Sequence, residues 1–379
     1  MSNQLPVILI HGLFGWGPTE LGGFQYWGIG AQVRSPLDRR FASVGPISSM
    51  HDRACELAFQ IRGGTVDYGE AHAAEAGHAR FGRSYSAEQA LHPQWSTQHP
   101  VHLVGHSMGG PTMLLLQQLL AVDHFGWGSS ADWIRSISSI SGVLNGSTAT
   151  YFLGCDTATG LVSPHTIAHF LAVAVELATA ITGDVFERFY DFDLHHWGLE
   201  RQPTEPVSDY VRRIAELPMF RGKDNGAYSL TIQGALEQNA AGIESPTTYY
   251  FSYVTTQTFR APITDRHLPA PGMNPFMIPT SLFMGSHDFA EQFYAGFDSS
   301  EWRANDGLVS AYSQMYPRVG TMVDHEAGIS SRGTFAPGKW YYDTLDNVDH
   351  VDIVALPQLD QVGMQKRFYT DLFKRLAAL

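Results

Sequence analysis

An α/β fold with a mostly parallel central sheet is what this sequence predicts, and three observations carry it. In Val101-His102-Leu103-Val104-Gly105-His106-Ser107-Met108-Gly109-Gly110 a short apolar run stops at Gly105, and the helix-forming segment Met113 to Leu120 follows. That is strand, sharp turn and helix. A second apolar run, Leu5 to Ile10, ends in His11-Gly12-Leu13-Phe14-Gly15-Trp16-Gly17 and reads as a buried strand with a glycine-rich loop after it. Ile134 to Ile140 is short and β-branched, and suits the next sheet strand after the helix.

Across the first turn the residues spell G-x-S-x-G. In an α/β-hydrolase this turn holds a serine at a strained backbone position, with small residues on either side because strand and helix pass so close together. Ser107 is therefore the candidate nucleophile, against the plainer reading of a serine in a glycine-rich loop. The His11-Gly12 loop then supplies one oxyanion-hole amide from Leu13, and Met108, directly after the nucleophile, supplies the other.

The chain has 379 residues, enough for one large α/β domain or two smaller ones. Apolar residues make up 44% and charged residues 16%, which suits a folded protein with a substantial core. A formal net charge of −13, with no Lys/Arg cluster, argues against a nucleic-acid-binding surface. Cys55 and Cys155 allow at most one disulfide; Cys55 lies in a helical stretch and reads as a buried free thiol. Before Leu5 there is no basic region or cleavage pattern, so the chain is either mature or never had a signal peptide, the second case pointing to the cytoplasm. The longest apolar stretch, Ile167 to Ile181, is interrupted by His169 and Glu176 and is too short to span a bilayer.

Taken in order, Asp52 to Ile61 reads as a helix that Gly63-Gly64 ends, and Thr65 to His78 as an insertion outside the sheet. Ser141 to Thr148 is a loop. From His165 to Thr182 the polar positions His165, His169, Glu176 and Thr179 share one stripe of an otherwise apolar helix. Such a helix is core by default; the functional alternative is a lid over the site that turns toward lipid. Thr247 to Thr255 reads as a strand, Pro279 to Met284 as another, and Arg260 to Phe276 as an irregular loop. No linker composition appears, so one domain with insertions is expected.

A hydrolase triad runs Ser, then acid, then His. Two acids qualify. Asp288 follows an apolar segment; Asp306, in Asn305-Asp306-Gly307-Leu308-Val309, sits in a tight turn that orients its carboxylate, and is favoured. His350, late in the chain and before a closing helix, ranks above His267, His287 and His325 as the base. It would take the Ser107 proton and pass it to the leaving alcohol.

With these residues in view, the chain resembles the zinc-containing lipases of staphylococci and thermophilic bacilli. The resemblance rests on His11-Gly12…Gly15-Trp16-Gly17, Gly23 to Gly28, Val44 to Ser49, Asp52 to Glu56, Gly63 to Gly69, His72-Ala73-Ala74 and Gly77 to Arg83. It extends to Tyr190-Asp191-Phe192, His196 to Leu199, Thr248 to Tyr250, Gly272 to Asn274 and Asn305 to Gly307, nearly end to end. It implies an α/β-hydrolase with a triad of Ser107, Asp306 and His350, which decides against Asp288, and an extracellular lipase acting on acylglycerols at a lipid surface. A short-chain esterase or polyester hydrolase would use the same triad, and a non-catalytic binding protein on this fold is the reading of another class. The resemblance also implies a structural zinc held by Asp52, His72, His78 and Asp224, in an insertion covering about 50–85 plus 220–230, and a lid at about 155–190. Asp224 is reachable only through the resemblance. Departures are the Gly-His-Ser-Met-Gly elbow, where the family typically opens with Ala and has Gln after the Ser, and Ser141 to Thr148 in place of a Thr-Pro-His-x-Gly-Thr loop. The family's calcium site would use the Gly272 carbonyl and Asp352, but Leu356-Pro357-Gln358 stands where a second acid is expected, which leaves the Ca2+ set one ligand short.

Overall fold

The computed structural model describes residues 5–21, 23–28, 30–163, 166–167, 190–242, 245–354 and 361–379. Its strands, in chain order, are β1 (Val7–Ile10), β2 (Arg39–Ala42), β3 (Gly64–Asp67), β4 (Phe81–Tyr85), β5 (Val101–His106), β6 (Ile134–Ile140), β7 (Tyr249–Thr256), β8 (Thr258–Arg260), β9 (His267–Pro269), β10 (His325–Ala327) and β11 (Trp340–Asp346). Seven of them form one sheet in the order β10-β11-β7-β6-β5-β1-β2, and every neighbouring pair in it is parallel.

The apolar runs explain this sheet. Val7 and Leu9 of β1 face one core with Val104, Phe251 and the closing helix Val362–Leu376, which adds Tyr369 and Phe373. Ile8 and Ile10 face a second core with Leu103 and Ile137, covered by α1 (Met50–Arg62) and α3 (Gly109–Ala121) through Leu57 and Leu114. A strand covered on both faces has no polar side, so unbroken Val/Ile/Leu runs are what a parallel sheet requires. Ser49 caps α1 by accepting the Asp52 N–H, and Gly63 at φ 95° ends it. Between α1 and β5, β3 and β4 pair antiparallel outside the main sheet, with α2 (Glu70–Ala76) between them.

From β1 the chain goes to β2 on one side, and it later returns to β5 on the other. The direction of winding thus reverses between β1 and β5, and beyond the carboxyl ends of strands at such a reversal is where open α/β sheets bind their ligands. His11-Gly12 and Ser107 follow those two strands.

Two expectations are corrected. Pro279 to Met284 is not a strand but part of the helix Ile278–Ser286. Its proline lies in the first turn, where the missing N–H costs no hydrogen bond, and a short apolar run has no period to separate the two states. Arg260 to Phe276 is irregular only in part, because β8 and β9 pair there as a small hairpin. The expected lid helix from His165 to Thr182 lies outside the described residues, save Thr166 and Ile167. No helix among the described residues is long and apolar enough to cross a membrane.

Burial leaves a pH signature. His102 in β5 is buried against the Ser136 hydroxyl at 2.7 Å, and burial pushes its pKa down to about 3. Burial, with Arg53 nearby, lowers His11 to about 3 as well. The unfolded chain protonates such a ring near its ordinary value, about 6.5, while the native state does not. Stability is therefore present above that value and falls as pH drops toward 3. His102→Gln should flatten the slope of unfolding free energy against pH by one proton, about 1.4 kcal/mol per pH unit, in this window. Denaturant titrations from pH 4 to 6 check it, and parallel curves would contradict it.

Candidate active site and metal centre

Ser107 sits at φ 56°, a left-handed backbone that costs a non-glycine residue strain. The turn that enforces it is too tight for side chains at its flanks. A Cβ on Gly105 would lie 2.5 Å from the Gly109 backbone, and one on Gly109 would lie 2.3 Å from the Ile10 carbonyl oxygen. A Cβ on Gly12 would meet the Ser107 Cβ at 2.7 Å, so the loop after β1 lies directly against the serine. Side chains of Leu13 and Met108 converge at Gly226, and among the described residues neither of their backbone N–H groups makes a hydrogen bond.

The structure joins His350 to Asp306. Imidazole Nδ1 lies 2.8 Å from Asp306 Oδ2, and the His350 N–H donates to the Asp306 carbonyl at 3.0 Å. A fully buried carboxylate needs its lone pairs filled. Asp306 Oδ2 also accepts from Thr255 Oγ1 at 2.8 Å and Gln314 Nε2 at 3.0 Å, and Oδ1 accepts the N–H groups of Leu308 and Val309 at 3.1 and 2.8 Å. Because the carboxylate only accepts, His350 carries its proton on Nδ1 and leaves Nε2 free as a base. The competing Asp288 instead faces solvent, in ion pairs with Arg266 and Arg303. His267 is part of the β8–β9 hairpin, His287 stacks on Phe283, and His325 stacks on Tyr316.

Sequence reasoning missed a chain of polar groups that ties these loops together. The Gly12 N–H donates to the Tyr26 hydroxyl at 3.0 Å, Tyr26 Oη lies 2.6 Å from His106 Nδ1, and His106 Nε2 lies 2.9 Å from the His350 carbonyl oxygen. That carbonyl can only accept, so Nε2 carries the proton and Tyr26 donates to Nδ1. Burial and the neighbouring His350 hold His106 well below the usual imidazole range, which keeps it in this neutral form. Its ring centroid is 4.8 Å from that of His350. Among the described residues no hydrogen bond links the Ser107 hydroxyl itself to His350, a contact that often tightens only with substrate. Arg53, also unforeseen, is buried and donates to the carbonyls of His11 and Gly45 at 2.6 and 2.7 Å, bracing the Gly12 loop.

Asp52, His72, His78 and Asp224 come together from α1, α2, the turn after Gly77 and a distant loop, with ligand atoms within 4.8 Å of one another. His72 Nε2 is 3.1 Å from Asp52 and 3.3 Å from Asp224, while His78 Nε2 is 3.3 Å from Asp224 and 3.7 Å from Asp52. A tetrahedral ion with bonds of about 2.0–2.2 Å separates its N and O ligands by roughly 3.4 Å. Buried His78 Nε2 and Asp224 Oδ2 have no hydrogen-bond partner, the condition expected of atoms that serve a cation. His196, which no local pattern singled out, brings Nε2 within 3.3 Å of Asp52 Oδ2. At the expected calcium position, Asp352 Oδ2 accepts the Asp349 N–H at 3.1 Å, and Leu356 to Gln358 lie outside the described residues.

A family model described as the lipase-like C-terminal domain matches residues 3–378. The chain belongs to that family. It is 33% identical over 397 residues to Lipase 1 of Staphylococcus aureus (strain MRSA252), covering 99% of this chain and 54% of that protein. It is 30% identical over 383 residues to the lipase of Staphylococcus hyicus, covering 95% of this chain and 55% of that one. The chain thus spans about half the length of the curated relatives it matches. Among solved structures, EstA from Clostridium botulinum superposes with a TM-score of 0.85 at 33% identity, over 100% of this chain and 88% of that one. Lipase 1 from Pelosinus fermentans gives 0.80 at 30% identity, over 100% of both chains. The parallel sheet with flanking helices is the α/β-hydrolase architecture of this lipase family.

Proposed function

We propose that this chain is a serine carboxylic ester hydrolase, a lipase acting on acylglycerol esters through an acyl-enzyme on Ser107. The observation that carries the reading is the buried, fully hydrogen-bonded Asp306 holding His350 Nδ1, beside a serine at φ 56° packed against Gly12. In this reading His350 Nε2 takes the Ser107 proton as Oγ attacks the ester carbonyl. The oxyanion is met by the N–H groups of Leu13 and Met108. Collapse expels the alcohol with the proton from His350, and water repeats the sequence to release the acid. Tyr26 and His106 hold the His350 loop and the Gly12 loop in one register, because one hydrogen-bonded chain touches both.

Asp52, His72, His78 and Asp224 would hold zinc. Four protein ligands leave no open position, so the ion's part is structural: it ties α1 to α2, to the turn after Gly77 and to the loop that carries Asp224. Apolar side chains support a lipid substrate over a dissolved one. Phe152, Phe276, Ile278 and Leu282 are exposed around the helix Ile278–Ser286, whose Thr280 hydroxyl donates to the Gly307 carbonyl beside Asp306 at 2.6 Å. A series of p-nitrophenyl esters and emulsified triacylglycerols tests the substrate class. A lipase should turn over long-chain emulsions at rates at least comparable with dissolved short-chain esters. Activity confined to dissolved short esters would make it an esterase.

A further inference from the structure

α1 carries a second group of metal-seeking side chains next to Asp52. His51 and Cys55 are four residues apart, so they stand one helical turn apart on the same face. Cys55 Sγ lies 3.5 Å from His51 Nε2. His124, just past the end of α3, brings its ring within 5.6 Å of the His51 ring, and ligand atoms of all three residues fall within 4.8 Å of one another. We propose that His51, Cys55 and His124 form a second metal site, which takes a thiolate-binding divalent ion such as zinc and leaves its fourth position to water.

Three features favour a cation there. Bonds of about 2.3 Å to sulfur and 2.0–2.1 Å to nitrogen set a tetrahedral S–N edge of roughly 3.5 Å, the separation already present between Cys55 and His51. Burial first, and then the carboxylates of Glu56 and Asp67, which belong to no other metal set, oppose a bare thiolate at Cys55, and a divalent ion would offset both. Burial is graded from Cys55, fully buried, through His51 to the exposed His124, so an ion has an entrance from solvent. His51 Nε2 now lies 2.8 Å from the Tyr68 carbonyl oxygen. On binding, this hydrogen bond breaks and the ring turns Nε2 from the carbonyl to the ion; its proton moves to Nδ1, and only the Cys55 thiol proton leaves to solvent. The two donor sets share no residue, although the His51 and His72 rings are 3.9 Å apart.

Sulfur makes the site separately observable. Protein stripped of metal and reconstituted with Co2+ should show a near-ultraviolet thiolate-to-cobalt charge-transfer band, which the oxygen and nitrogen donors of the first site cannot produce. Metal analysis should give two ions per chain. Cys55→Ser should remove the band and lower the count to one. His124→Ala, a surface change that should leave the fold intact, should weaken the second ion by tenfold or more and shift the band. One ion per chain with no thiolate band in folded protein would overturn the proposal, as would a band and affinity unchanged by His124→Ala.

Discussion

Ser107→Ala should lower kcat for ester hydrolysis by about 10⁴-fold or more while the protein stays folded. That is about 5 kcal/mol or more of lost transition-state stabilisation. The residual rate would come from the oxyanion amides and from binding, which the substitution leaves in place. Stability should move in an informative way. Because residue 107 sits at φ 56°, Ala inherits the backbone strain and Gly does not. Ser107→Gly should therefore be more stable than Ser107→Ala by about 1 kcal/mol, with equally little activity. Thermal melts of both variants beside steady-state kinetics read the two effects separately. Retention of most activity by Ser107→Ala would remove the nucleophile assignment.

Metal removal is the second large effect. Without a cation, Asp224 Oδ2 and His78 Nε2 are buried polar atoms with no hydrogen bond, and two carboxylates face each other across His72. An ion present at a thousand times its dissociation constant contributes about 4 kcal/mol to the folded state. Chelation should therefore lower Tm by several degrees, and added Zn2+ should restore it. Asp224→Ala should reproduce most of the loss and remove the part of the zinc response that belongs to these four ligands. The chemical step should change far less, because no ligand of this set lies in the Ser107 machinery. Protein purified without zinc that melts at the same temperature would contradict the four-ligand site, and chelation that stops turnover with Tm unchanged would contradict its structural role.

Much of this arrangement was readable in one dimension, for reasons that differ by element. Val7–Ile10 and Val101–His106 announced themselves because a parallel strand covered on both faces has no polar side to blur the pattern. Gly105 and Gly109 were readable because contacts with backbone atoms exclude any side chain there. The Asp306 turn was readable in part: Asp-Gly-x-Val gives its carboxylate the local N–H groups of Leu308 and Val309, whereas the remaining donors, Thr255, Gln314 and His350, come from far along the chain. Tyr26, His106 and Arg53 act only through such distant partners, and nothing local marks them. The same holds for Asp224 and His196 around Asp52. Pro279 to Met284 failed for the opposite reason, since a six-residue apolar run suits a strand and a helical turn equally well.

If Ser107 Oγ forms the covalent intermediate, a mass measurement should find it. The native protein should react with a fluorophosphonate ester until each chain carries one adduct. Proteolysis should place that adduct on the peptide containing Ser107, with hydrolysis lost in proportion to labelling. No adduct on folded, active protein, or an adduct on another residue with hydrolysis lost alongside, would exclude Ser107 as the nucleophile.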